Sequence, residues 1–297
     1  MRKLSRRAAS IALAAAMLFT TARVSQKKVE AASTGKLSVT GYQDYNDAQK
    51  ILKEVNKYRK KNGRKALKMD RGLTNSAIMR GFETTIYIPE TSPHRRPNGK
   101  LSKSINKKII YENCAQSAGT TPKQIVKGWI NSSTHRKGLL LSNAKSVGVA
   151  AVTVVSRDGY EANTWVLDFS SSKAKKVEKS KARKQFTKNI VTKNSYLKKS
   201  YLKLDSRYGT IWETEKMQMK PTYQGKMMKE YGVYPTVINT SSFISWKSSN
   251  PSVASVDSNG RITGNKAGTA TISAKLKTGT KITISKKIKV VPTNQQI

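Results

Sequence analysis

Apolar positions first recur at helical spacing in YNDAQKILKEVNKYRKKNG, where Ala48, Ile51, Leu52, Val55 and Tyr58 share a face and Gly63 is placed to stop the helix. A second helical segment, RGLTNSAIMRGFETTIY, carries Leu73, Ala77 and Ile78 on one side. Pro93, Pro97 and the pair Asn98-Gly99 mark SPHRRPNGK as a loop. KKIIYENCAQ at 107–116 is a short apolar strand-like run that ends at Glu112-Asn113. A third helix opens with Thr121 as cap, Pro122 in the first turn and Gln124 completing a capping box, ahead of the stripe Ile125, Val126, Trp129 and Ile130. SVGVAAVTVV at 146–155 and ANTWVLDF at 162–169 read as strands, with a turn at Arg157-Asp158-Gly159. Helices alternating with antiparallel strands make this first domain, over 42–171, α+β.

The pattern then lapses. From 172 to 194 the text is rich in lysine and poor in apolar residues, which predicts a solvated basic linker. As a flexible coil it would hold its flanks roughly 25–30 Å apart. Beyond it, SVASVDSNGRITGNKAGTATISAKLKTGTKITISKKIKV alternates apolar and polar positions in short runs, and Asn259-Gly260 is a strong hairpin signal. Several short strands with regular turns predict a second, all-β domain over 195–293, built as a sandwich.

Composition changes the picture in three ways. The start, MRKLSRRAASIALAAAMLFTTA, is basic and then apolar, the layout of a secretory signal peptide, assigned here to 1–32. Its apolar run is short for a bilayer span, and no later stretch is apolar enough to cross one, so no integral segment is expected in the mature chain. Cys114 is the only cysteine, so no internal disulfide can form, and export without disulfides suits a bacterial rather than a eukaryotic secreted protein. The formal net charge is +40, and residues 173–205 contribute +10 of it. Such charge inside a cell would suggest nucleic acid. Export removes that partner and leaves anionic wall polymers or lipid head groups.

The 42–171 text resembles the CAP superfamily, the group of cysteine-rich secretory proteins, antigen 5 and pathogenesis-related proteins, in its cysteine-poor bacterial branch. The matching residues are Leu73, Ala77, Arg80 and Glu83 on the second helix, HRRPNGK, Tyr111-Glu112-Asn113, WINSSTHRKGLL, Ser146-Val147-Gly148-Val149 and TWVLDF. The resemblance implies an α-β-α sandwich with a cleft lined by His94, Glu112 and His135, and it places Asn113 and Ser132 beside them. His94 and His135 are the only histidines in the chain. A second glutamate that eukaryotic members carry falls here at Ser132, and Cys114 stands where an apolar residue is usual. The tail resembles the bacterial immunoglobulin-like domain of group 2, through ISWKSSNPSVASVDSNGRITGNKAGTATISA. That implies a cell-surface or wall setting.

Two imidazoles and a carboxylate can hold a divalent metal such as zinc with an open position, so His94, Glu112 and His135 form the candidate metal set. The same three can equally form a metal-free hydrogen-bonded cluster. No serine lies in a nucleophile-elbow motif, and no catalytic residue is assigned. The leading expectation is an exported surface binding protein whose ligand is a lipid, a glycan or a peptide. The alternative is a metal-dependent hydrolase or peptidase acting in the envelope or outside the cell.

Overall fold

A computed structural model describes residues 34–87, 94–117, 119–156, 159–204, 209–277 and 282–293; the expected signal peptide lies outside them. The first half runs β1 (Thr34–Asp44), α1 (Tyr45–Lys61), β2 (Lys68–Met69), α2 (Arg71–Thr84), β3 (Tyr111–Ser117), α3 (Pro122–Asn131), α4 (Ser133–Leu139), β4 (Ser146–Val155), β5 (Glu161–Ser170) and β6 (Arg183–Lys193). Five strands join in the order β3-β5-β4-β1-β6, and β2 adds to β4 in parallel.

β4 explains the layering. Every residue from Ser146 to Val154 is buried, as a strand covered on both faces requires. Val147, Val149 and Ala151 pack with Ile51 and Val55 of α1 and with Val126 and Trp129 of α3. Ala150, Val152 and Val154 pack on the other side with Ala77, Ile78 and Phe82 of α2. The result is the α-β-α sandwich expected. Contact with α2 is close: a Cβ on Gly148 would collide with the Leu73 backbone, and one on Gly81 would meet the Val152 side chain. Each helix begins on a cap: Asp44 accepts from Asp47, Asp70 from Leu73, and Thr121 forms the anticipated capping box with Gln124.

The basic linker expected over 172–194 is not a coil. Residues 183–193 are β6, paired with β1 in unbroken antiparallel register from Thr34↔Lys193 to Asp44↔Arg183. Ile190 faces Leu37 across this ladder, and both side chains are fully buried. The stretch before β6 is tied down too. The Lys175 N–H donates to Asp70 Oδ2 at 2.8 Å, the Arg71 N–H donates to the Lys176 carbonyl at 2.8 Å, and Arg71 pairs with Glu178 at 3.1 Å. Burial of Ile190 and Thr192 outweighs the lysines, two of which, Lys184 and Lys188, set their ammonium groups over the Tyr45 and Phe186 rings. The sheet therefore starts at Thr34 and ends at Lys193, beyond both expected domain limits.

The second half comprises β7 (Leu202–Leu204), β8 (Thr210–Trp212), β9 (Lys216–Gln218), β10 (Pro221–Tyr223), α5 (Lys226–Glu230), β11 (Thr236–Val237), β12 (Phe243–Ser248), β13 (Ala254–Val256), β14 (Arg261–Gly264), β15 (Gly268–Leu276) and β16 (Thr283–Val291). Sheets β12-β15-β16-β8 and β13-β14-β9 enclose Ile211, Ile262, Ala270, Ile272, Ile288 and Val290. A small sheet, β11-β10-β7, lies toward the first half. Gly260 takes φ +75° in the turn between β13 and β14 and packs under the Trp246 ring, the use foreseen for Asn259-Gly260.

No spacer separates the halves; they touch directly. The Asn239 N–H donates to the Ser38 carbonyl at 2.7 Å, the Ser38 N–H donates to Ser242 Oγ at 2.8 Å, and the Thr236 hydroxyl donates to the Thr85 carbonyl at 2.7 Å. Tyr160 stacks on Tyr234 with ring centroids 4.7 Å apart. One apolar cluster continues from Phe82 and Ile190 through Leu202 and Tyr223 into the all-β half. Among the described residues, no helix is long and apolar enough to cross a membrane.

Candidate functional site

The site grows from an irregularity in α2. Its buried face carries Arg80 and Glu83 among Leu73, Ala77 and Phe82, and neither charged side chain is more than 1% exposed. Buried charges persist only when paired. Arg80 donates from Nε to Glu112 Oε2 at 2.9 Å, from Nη2 to Glu112 Oε1 at 3.1 Å and from Nη1 to Glu83 Oε2 at 2.9 Å. Arg96, in the loop after His94, donates Nη2 to Glu83 Oε1 at 2.7 Å. His94 closes the chain at the other end, with Nδ1 3.0 Å from Glu112 Oε1. The continuous series is His94–Glu112–Arg80–Glu83–Arg96, two guanidinium groups against two carboxylates.

The second histidine stands on α4. Ser132 ends α3 and caps α4, and its Oγ lies 2.9 Å from His135 Nδ1. Asn113 donates Nδ2 to the His135 carbonyl at 2.9 Å, and the Tyr111 hydroxyl donates to the Thr134 carbonyl at 3.0 Å. Gly138 lets α4 lie close to β3, since a Cβ there would press on Asn113 and the Tyr111 ring. Glu112 and Asn113, successive on β3, thus serve opposite faces: the first holds His94, the second holds the backbone at His135.

Electrostatics follow from burial. Burial opposes ionisation of Glu112, but the His94 hydrogen bond and the Arg80 guanidinium outweigh it and hold the carboxyl below its usual range. Arg80 is raised despite its own burial, because Glu112 and Glu83 flank it. Burial and the neighbouring His94 lower His135, favouring a neutral ring. Burial, then the Glu112 charge, pushes the Cys114 thiol up to about 12.

Asp168 was not anticipated. It lies opposite Glu112 in the β3–β5 register, is fully buried, and neither carboxyl oxygen has a hydrogen-bond partner among the described residues. Burial and the Glu112 charge raise it well above the usual carboxylate range, favouring the protonated form. Arg80, Glu83 and Arg96 were likewise absent from the expected set. The signal of Arg80 and Glu83 was legible, because charged residues there interrupt a face carrying Leu73, Ala77 and Phe82.

Among the described residues, ligand atoms of His94, Glu112 and Cys114 lie within 4.8 Å of one another, a group that includes Cys114 and not His135. These donors do not suit zinc as they stand. Both Glu112 oxygens already accept from Arg80, and the thiol would have to ionise beside that carboxylate.

Residues 52–169 match the model of the cysteine-rich secretory protein family, CAP. They are a CAP domain. Residues 224–287 match the bacterial Ig-like domain of group 2, so the CAP domain is followed by an all-β Ig-like one. Strands β1 and β6 lie outside the CAP match and extend its sheet. The Bacillus subtilis protein YkwD is 31% identical over 130 residues, 42% of this chain and 48% of its own length. The chain thus spans about half of that relative. Among solved structures, similarity extends to an outer surface protein of Borrelia burgdorferi (18% identity, 44% of this chain and 98% of that one, TM-score 0.32). It extends also to an extracellular SCP-domain protein of Bacillus anthracis (19% identity, 42% and 41%, TM-score 0.32).

Proposed function

We propose that the protein is an exported binding protein of the bacterial cell surface or wall, and that its CAP cleft recognises a ligand through His94 and His135. The observation that carries this is the double engagement of Glu112 by Arg80 and His94. A carboxylate held by three donors orients an imidazole well, yet it is neither a free general base nor an open metal ligand. His94 keeps 34% of its side chain exposed, so the series fixes one polar contact at the rim and leaves the chemistry to whatever binds there. Export rests on the basic and then apolar start of the chain. The excess of lysine supports attraction to anionic wall polymers or lipid head groups. Against the metal-dependent hydrolase reading, Glu112, the carboxylate of its ligand set, is already held by Arg80.

The test is identification, by mass spectrometry, of what co-purifies with the full chain from its native envelope. The comparison is with His94→Ala and His135→Ala proteins that keep the wild-type circular dichroism. A lipid, glycan or peptide enriched severalfold in wild type and absent from both variants supports the reading. Equal recovery from all three sinks it, as does time-dependent cleavage of an envelope component that His94→Ala abolishes.

A further inference from the structure

A groove of about 430 Å³ runs along the junction of the two halves, away from the histidines. Its floor is the β1–β6 ladder and its far wall is the turn at 240–242 and the end of β15. Lys36 and Lys277 stand on it, one from each half, with Thr187, Asn189 and Ser241 between them. All five are exposed. No carboxylate lines the groove, and neither lysine pairs with one among the described residues. Its walls are fixed by the junction itself: the Asn239 N–H donates to the Ser38 carbonyl, the Ser38 N–H to Ser242 Oγ, and the Lys277 N–H to the Ser242 carbonyl at 2.8 Å.

We propose that this groove is a second binding site, for a phosphate group carried on a hydroxylated chain such as a polyol or sugar phosphate. Two ammonium groups with hydroxyl and amide groups between them offer separate point donors. That arrangement suits a tetrahedral phosphate, whereas planar carboxylates are better served by the fork of an arginine. The hydroxyls of Thr187 and Ser241 and the Asn189 amide can both donate and accept, which fits a ligand with hydroxyls flanking its charge. The volume lies within the range of about 300–1,000 Å³ that holds small ligands. Because β1 and β6 lie outside the CAP match and the groove needs the Ig-like half, neither domain alone contains the site. The partner belongs to the surface-binding reading above, but the site is independent of the cleft.

Calorimetry with the full chain tests it, using a glycerol-phosphate hexamer as probe. A neutral glycan hexamer and a galacturonate hexamer of equal charge serve as comparisons. Lys36→Ala/Lys277→Ala should weaken phosphate-oligomer binding at least tenfold and flatten its salt dependence. Lys60→Ala/Lys61→Ala, which removes the same charge from the end of α1, should change it less than twofold. His94→Ala should leave it unchanged, so loss of the cleft reading would not count against the groove. Equal losses from the two lysine pairs would show diffuse attraction and overturn the proposal. So would galacturonate binding as tight as the phosphate oligomer, and so would no binding by wild type. Should the Lys36→Ala/Lys277→Ala protein fail to fold, Asn189→Asp, which places a negative charge on the groove wall, should produce the same loss.

Discussion

Replacing Arg80 by methionine would keep most of the side-chain volume and remove the one cation that lies between Glu112 and Glu83. Three hydrogen bonds to carboxylates of described residues are lost, and at about 1.5–3 kcal/mol each they sum to about 5–9 kcal/mol. Glu83 retains Arg96, so the damage concentrates on Glu112, which keeps only His94. Breaking one buried ion pair costs about 3–5 kcal/mol, and that is the expected loss in urea denaturation at pH 7. At about 2–4 °C per kcal/mol for a unit of this size, the melting temperature should fall by roughly 6–20 °C. The pH dependence supplies a second readout. In the wild type, Glu112 sits below its ordinary value and contributes stability that is lost as pH falls through the folded value. In Arg80→Met the same carboxyl is buried without its cation and takes up a proton more readily than in the unfolded chain. The gap between variant and wild type should therefore narrow as pH falls toward about 4. Arg80→Met/Glu112→Gln should recover part of the loss at pH 7, since an amide needs no counter-charge. A single-variant loss below about 1 kcal/mol, or a gap constant from pH 4 to 8, would refute the reasoning.

Asp168→Asn removes a group that holds its proton more tightly in the fold than in the unfolded chain, where the proton is lost above about pH 4. Because the folded value is raised, wild-type stability falls as pH rises through that window and the asparagine variant escapes the fall. Urea midpoints should therefore favour the variant more at pH 8 than at pH 4, and an equal difference at both would contradict a protonated Asp168. Limited trypsin digestion of the native protein should spare the lysines of β6, whose backbone is held by β1 along its full length. An early fragment ending between Arg183 and Lys193 would mean that the strand is not formed.

How much of this the sequence disclosed depended on what kind of information each residue carried. Helix α3 was legible to the residue, because Thr121, Pro122 and Gln124 act locally. β4 was legible because burial on both faces makes it almost continuously apolar, and β5 through its apolar run Trp165-Val166-Leu167. β6 was not, since an edge strand with one buried face tolerates polar and charged residues at its other positions, and its two buried anchors, Ile190 and Thr192, are diluted by them. β1 was missed for a different reason: its main partner lies about 150 residues away. At the site, motif position pointed to His94, Glu112, His135, Asn113 and Ser132. The structure brings His94 to Glu112, and Ser132 and Asn113 to His135. Arg80 and Glu83 were marked only as matching positions on the second helix, and neither they nor Arg96 and Asp168 were assigned to the cleft, because a buried charge declares itself only by interrupting an apolar stripe. Nothing on the same element says which distant group will pair with it.

The β1–β6 ladder also imposes a timetable. A chain that emerges amino end first presents Thr34–Asp44 long before Arg183–Lys193 exists to meet it. At synthesis rates of about 5–20 residues per second, that interval is roughly 8–30 s, far longer than the microseconds in which a hairpin closes. Until then β1 has only a short pairing with β4, at Tyr42 and Gln43, and the rest of its backbone offers open hydrogen-bonding groups to any passing strand. Assembly of the nascent sheet is therefore gated by the arrival of its final strand, and a helper that shields residues 34–44 in the meantime would act on yield without touching the finished protein.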